Sequence, residues 1–187
     1  MSNEATGANA RPAGADAGPL GYLALGLTLL AYGLLSTGIL SGAGVKDAAS
    51  LAHLLGGLAL FIAGLWQLRG GDRFAGTAFT SLGAFWATWS AAGGAGKNAA
   101  GLFLLLWALL ALTLTAASWG GGGLLGRAVY GLFTVSLVLS AIATFGSSDG
   151  LAKVAGWVAS VAGLAAWYAA TLSLTNGTVG RLSLPLK

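Results

Sequence analysis

Pro19 to Leu40 reads PLGYLALGLTLLAYGLLSTGIL, a run without one charged side chain. About 20 such residues wound as a helix match the thickness of a bilayer's hydrocarbon core, and a helix satisfies its own backbone there. Further apolar runs follow at Ala48 to Leu68, Phe74 to Ala92, Ala99 to Trp119, Arg127 to Phe145 and Val154 to Thr175. The fold expected is an all-α integral membrane protein, a bundle of six transmembrane helices. Short connections such as Leu68-Arg69-Gly70-Gly71-Asp72-Arg73 predict that consecutive helices are antiparallel neighbours.

Composition agrees. Of the 187 residues 56% are hydrophobic and 7% charged, against roughly 25% charged in soluble domains. Residues 1–18 carry no apolar periodicity and are expected to form a disordered tail, with 19–175 as the six-helix domain and 176–187 as a second tail. This leaves no room for a separate soluble domain. The nine basic residues stand singly between apolar runs, which argues against a nucleic-acid partner and for topology signals. Arg11, Arg69, Arg73, Arg127, Arg181 and Lys187 fall on one side of the alternating bundle, and Lys46, Lys97 and Lys153 on the other. By the positive-inside rule both termini are cytoplasmic, in the cell's cytoplasmic membrane.

Several chemistries are excluded. Without cysteine there is no disulfide, thiolate metal site or iron–sulfur cluster. A single His cannot supply bis-His haem ligation, and no intramembrane carboxylate pair is present. No enzyme, cofactor or metal is expected.

Gly accounts for 32 residues. In lipid, small residues let helix backbones approach, so Gly76, Thr80, Ala84 and Thr88 in the third run, with Gly156/Ser160 and Ala159/Gly163 in the sixth, mark packing ridges within the bundle or between copies. Trp66 and Trp119 sit near span ends, as interfacial Trp does, whereas mid-span Trp86 has two open readings, core packing or pore lining. His53 also has two: a proton-responsive group in an entrance, or an interfacial side chain with a water or backbone partner. The remaining intramembrane polarity is mostly hydroxyl. Thr77, Thr80 and Ser81, with Trp86, are the cluster of donors expected to line a solute path. Pro19 and Gly21 open the first helix, whose N–H groups would favour an anion at an entrance.

Asp16-Ala17-Gly18-Pro19-Leu20-Gly21, Gly56-Gly57-Leu58-Ala59, the block Thr77-Ala78-Phe79-Thr80-Ser81-Leu82-Gly83-Ala84-Phe85-Trp86, Ala155-Gly156-Trp157 and Gly180-Arg181 follow one another in the order seen in the acetate uptake transporters, a family of bacterial acetate/succinate permeases of the YaaH type and fungal ammonia/acetate exporters. The chain resembles this family from about residue 16 onward. The resemblance implies a transporter or channel for small monocarboxylates such as acetate, with succinate a further candidate, assembled as a homohexamer with one path per protomer. It also implies a hydrophobic constriction of Phe, Leu and Tyr. The Phe falls at Leu25, the Tyr at Leu82, and the Leu at Ser136 or Leu137, while a helix-end Glu of the family is Gln67 here. The rivals are a urea or short-amide channel and a structural membrane subunit that transports nothing. For a carboxylic solute, either helix ends and hydroxyls hold the anion briefly, or the neutral acid crosses the constriction.

Overall fold

The computed structural model describes residues 16–40, 42, 47, 50, 52–91, 95–120 and 123–178. Among them there is no strand. The described residues form the helical rods α1 (Gly18–Thr37), α2 (His53–Arg69), α3 (Arg73–Ala91), α4 (Lys97–Ala117, extended by a 3₁₀ turn over Ser118–Gly120), α5 (Gly123–Gly146) and α6 (Asp149–Thr178). The first part of α2, His53–Ala59, is π-wound and continues into α-helix at Leu60. Four helices, Gly18–Thr37, Lys97–Gly120, Gly123–Gly146 and Asp149–Asn176, are long and apolar enough to cross a membrane. The segment His53–Arg69 is a shorter apolar helix, and α3 carries more hydroxyls. The proposed tails lie mainly outside the described residues.

Local chemistry explains the ends. Ala17 is the N-cap of α1; ahead of it Asp16 Oδ1 accepts the Gly18 N–H at 2.8 Å in an Asx turn, and Pro19 occupies the first turn, where no intrahelical donor is needed. Gly38 closes α1 at φ 75°. In the tight turn before α3, Gly71 takes φ 86° and Asp72 Oδ1 accepts the Ala75 N–H at 2.9 Å. Two helices begin earlier than their apolar runs, α5 at Gly123 instead of Arg127 and α6 at Asp149 instead of Val154. The turn added to α6 carries Asp149 and Lys153, which hydropathy counts against a span but which a helix accepts at its end, and Asp149 suits the positive amino end; the turn added to α5 is Gly-Leu-Leu-Gly.

The expectation that sequence neighbours pack together holds for α2–α3, α4–α5 and α5–α6, but the most extensive pairing is α1 with α6. Glycines allow it. A Cβ at Gly33 would stand 2.6 Å from the Gly156 carbonyl oxygen and 2.7 Å from the Ser160 nitrogen, and one at Gly26 would stand 2.7 Å from the Trp167 nitrogen. Gly26 meets Gly163 and Gly33 meets Gly156, so the two helices run antiparallel in backbone-to-backbone contact. The α2–α3 pair repeats the device: Gly83 lies against the Phe61 backbone, Gly64 against Thr80 and Gly76 against Leu68. The ridge of Gly76 and Thr80 read from sequence is thus an intramolecular seam. By contrast α3 and α4 scarcely approach through their backbones. Rings span the gap, with Phe85 5.9 Å from Phe103 and 5.4 Å from Trp107, and Trp89 6.0 Å from Phe103.

Outward faces are apolar, as lipid requires: on α4, Leu102, Leu105, Leu106, Leu109 and Leu112 are 42% to 57% exposed. Trp66 and Trp119 are exposed, and the Arg127 guanidinium lies 5.2 Å from the Trp119 ring, across the α4–α5 connection.

Gln67, at the end of α2, donates its Nε2 to Asp16 Oδ1 at 2.8 Å. The amide therefore ties the start of α1 to the end of α2, and its carboxylate partner is Asp16. Asp16→Ala removes the Asx turn and the tie together and is expected to cost about 1 to 2 kcal/mol, measured as a lower thermal unfolding midpoint of the purified protein.

Candidate functional site

Three helices of like direction surround the centre of the bundle. Tyr22 of α1 meets Phe79 of α3 at 5.2 Å, while ten residues further along α1 Tyr32 meets Trp86 at 5.6 Å and Trp89 at 6.4 Å. Phe74 meets Tyr130 of α5 at 5.6 Å, and Phe85 meets Phe133 at 5.8 Å. Contacts that rise together in number mean that α1, α3 and α5 run parallel, with the intervening helices antiparallel to them. Each contributes a stripe at helical spacing: Leu25, Leu29, Tyr32 and Ser36 from α1; Phe79, Leu82 and Trp86 from α3; Tyr130, Phe133, Leu137, Ser140 and Thr144 from α5.

Leu25, Leu82 and Leu137 all lie within one buried cluster, 0%, 1% and 3% exposed, together with Phe133 and Trp86. Of the two candidates on α5, Leu137 belongs to this apolar layer, whereas Ser136 Oγ donates to the Ala155 carbonyl of α6 at 3.0 Å and serves helix pairing. Trp86 is core, and its indole Nε1 is buried without a hydrogen-bond acceptor. On the side of the apolar layer where α1 begins, the Tyr130 hydroxyl is likewise buried and makes no hydrogen bond of ordinary geometry, with the Tyr22 hydroxyl reaching toward Gly126 one turn away. Buried polar atoms are normally paired. The Tyr130 hydroxyl interacts with that of Tyr22, which leaves the Trp86 indole as an unspent donor beside the apolar layer.

The hydroxyl cluster read from sequence does not join this layer. Thr77 is exposed, Ser81 Oγ donates to the Thr77 and Ala78 carbonyls of its own helix, and Thr80 faces Gly64 of α2 with its Oγ1 unpaired. The reason is rotational: with 3.6 residues per turn, the face carrying Phe79, Leu82 and Trp86 turns Thr77, Thr80 and Ser81 toward α2 and the outside. At the α1 entrance Pro19 is half-buried, and Gly21 lets the Phe79 ring lie against the α1 backbone. His53 is exposed and lines a groove of about 380 Å³ between α2 and α3 with Gly57, Phe61, Gly83, Ala87 and Thr88, on the flank of the bundle. At Gly56 the π-wound part of α2 touches both Thr28 and Trp86, so no side chain fits there.

Where α1 and α5 end and α6 begins, a second cavity of about 110 Å³ opens among Tyr32, Ser36, Trp89, Leu104, Ser140, Thr144 and Ala152. Tyr32, Tyr130 and Phe133 were missed in the sequence. The signal was available in the i, i+3, i+7 relation of Tyr130, Phe133 and Leu137, and in the seven-residue step from Leu25 to Tyr32.

Among the described residues no cluster of His, Cys, Asp or Glu could hold a metal. Comparison with known proteins extends over nearly all of the chain. The chain is 29% identical to the succinate-acetate/proton symporter SatP of Escherichia coli K12, covering 92% of this chain and 95% of that protein. It is 30% identical to the ammonia transport outward protein 2 of Saccharomyces cerevisiae, covering 63% of this chain and 46% of that one. The solved structure of the bacterial acetate channel SatP superposes with a TM-score of 0.85 at 27% identity, covering 92% of this chain and 99% of that one. With residues 4–185 matched by its model, the chain belongs to the GPR1/FUN34/yaaH family.

Proposed function

We propose that the protein is a membrane transporter or channel for acetate and similar small monocarboxylates, with succinate a further substrate. The carrying observation is the stacked centre of the bundle: a hydroxyl-lined cavity, the unpaired Trp86 donor, the Leu25–Leu82–Leu137 layer and the Tyr22–Tyr130 hydroxyl pair, along three parallel helices. Its likeness over nearly the full chain to SatP, a succinate-acetate/proton symporter and acetate channel by name, supports the same reading. All six helices span the cytoplasmic membrane with both termini inside, which puts Arg69, Arg73 and Arg127 at the cytoplasmic face and Lys97 and Lys153 outside. The protomers assemble as a homohexamer, as the family resemblance implies, each with its own path.

An isolated carboxylate in the apolar layer would meet no cation, since Leu25, Leu82 and Leu137 are neutral, and burying such a charge is very unfavourable. The neutral acid crosses instead, so uptake is proton-linked. Labelled acetate uptake into proteoliposomes tests this. The expected result is saturable uptake, faster at lower external pH, blocked by excess succinate and untouched by excess urea. Folded protein that takes up no more acetate than empty liposomes overturns the proposal.

A further inference from the structure

The first part of α2, His53–Ala59, is wound as a π-helix, a rare form whose i→i+5 bonding admits more residues to each turn and bulges the backbone toward its neighbours. The bulge carries two buried glycines, Gly56 and Gly57. A Cβ at Gly56 would stand 2.6 Å from Thr28 Cγ2 and 2.9 Å from both Thr28 Oγ1 and Trp86 Cγ, so bare α2 backbone rests on one side chain of α1 and one of α3. None of the three partners is free to give way. Thr28 Oγ1 donates to the Ala24 carbonyl at 2.7 Å, which fixes the rotamer and with it Cγ2. The α2 backbone is pinned to α3, because Gly83 lies against the Phe61 backbone and a Cβ at Gly57 would stand 3.3 Å from the Ala87 backbone. Trp86 is 1% exposed, with its ring 4.8 Å from Phe85, 5.6 Å from Tyr32 and 6.3 Å from Phe133. Its buried Nε1 has no acceptor, so packing alone decides where the ring sits.

Trp86 follows Leu82 by one turn on the same face of α3, within the buried cluster that holds Leu25 and Leu137. Whatever seats the indole therefore sets the room beside that layer. We infer that Gly56 and Thr28 are specificity-determining positions, which fix the seat of Trp86 and so limit how large a carboxylic acid crosses. They act through the indole and touch no solute. Behind the ring stand the α2 backbone and the Thr28 methyl; in front stand the rings of Tyr32 and Phe133. Atoms added behind drive the indole toward those rings and narrow the space, and atoms removed let it settle back. The vacant side-chain position at Gly56 and the methyl of Thr28 share one volume, so a methyl can be moved from one to the other.

This inference rests on the transport reading above, and the test separates the two. Uptake of acetate, propionate and butyrate into matched proteoliposomes, normalised to folded protein, gives a size order for each variant. Gly56→Ala is expected to lower the butyrate-to-acetate ratio by about tenfold, the low end of what one methylene decides in an apolar site. Thr28→Ser deletes Cγ2, keeps the hydroxyl that bonds Ala24, and is expected to raise the ratio. Gly56→Ala combined with Thr28→Ser moves one methyl across the contact and is expected to bring the ratio back toward wild type, whereas a merely structural defect lowers uptake of all three acids together. The ring is also read without flux, by fluorine NMR of protein labelled with fluorotryptophan. The Trp86 line, identified by its loss in Trp86→Phe, is expected to shift in Gly56→Ala and to return in the double variant. A wild-type size order in both single variants, no rescue in the double variant, or a Trp86 line unmoved by Gly56→Ala would each overturn the inference. If Gly56→Ala does not fold, Thr28→Ser decides alone: a raised ratio upholds the inference and a wild-type ratio overturns it. Wild-type protein that takes up no acetate, with the Trp86 line moving and returning as expected, would overturn the transport reading alone.

Discussion

Gly33→Leu is expected to remove most of the folded protein. A Cβ at position 33 already falls 2.6 Å from the Gly156 carbonyl oxygen and 2.7 Å from the Ser160 nitrogen, and these are backbone atoms of a helix that cannot swing aside as a side-chain tip could. The whole α1–α6 contact has to open by more than an ångström. That forfeits the opposite pair, Gly26 with Gly163, because the two crossings lie on one straight seam. Overpacking of a core commonly costs 1 to 3 kcal/mol, occasionally more; a displaced helix pair belongs at or above about 3 kcal/mol. Fluorescence-detected size-exclusion chromatography of the detergent extract reads this as loss of the monodisperse peak. Gly150→Ala supplies the contrast. No heavy atom lies within 4 Å of its new Cβ, and an alanine in the first turn of α6 is expected to leave the peak unchanged.

Leu82→Ala is expected to raise acetate flux by about tenfold, equivalent to about 1.4 kcal/mol off the barrier, and to admit acids one or two methylenes longer. Leu82 is 1% exposed in the buried cluster it shares with Leu25 and Leu137, so truncation leaves a void in the layer proposed as the constriction. The same void destabilises the fold by about 2 to 5 kcal/mol, so flux must be normalised to folded protein. Leu82→Tyr acts the other way, adding a ring and a hydroxyl to a filled layer, and is expected to slow acetate. Radiolabelled uptake of acetate, propionate and butyrate in matched proteoliposomes distinguishes a widened layer from a leaky one: a widened layer keeps saturation and stereotyped size order.

Much of this architecture was legible because lipid imposes severe rules on sequence. The apolar runs marked all six rods to within a few residues, and the Gly76–Thr80 and Gly156–Ser160 ridges named two real seams. Partner choice was not legible. Nothing in α1 states that Gly26 and Gly33 await Gly163 and Gly156, more than a hundred positions away, since a small-residue ridge is chemically the same whichever helix it receives. Rotation of α3 was the second hidden quantity. Thr77, Thr80 and Ser81 formed a conspicuous hydroxyl group in sequence, yet Phe79, Leu82 and Trp86 hold the inward face, where Phe79 meets Tyr22 and Trp86 meets Tyr32 and Phe133. The alternative between Ser136 and Leu137 needed one hydrogen bond, Ser136 to Ala155, to place the serine in the α6 seam. Asp16 and Gln67 were both noticed separately; their pairing across 51 positions needed coordinates.

The absence of native cysteine makes the path directly testable. Single cysteines at Leu25, Leu82 and Thr77, each in the otherwise unchanged chain, would be treated in proteoliposomes with a small neutral methanethiosulfonate, with modification counted by mass spectrometry and acetate flux measured before and after. If solute crosses each protomer through the Leu25–Leu82–Leu137 layer, modification at 25 or 82 cuts flux by at least about tenfold and excess acetate slows it, whereas modified Thr77→Cys transports normally from its exposed position on α3. Full modification of Leu82→Cys with flux unchanged would contradict a path through that layer.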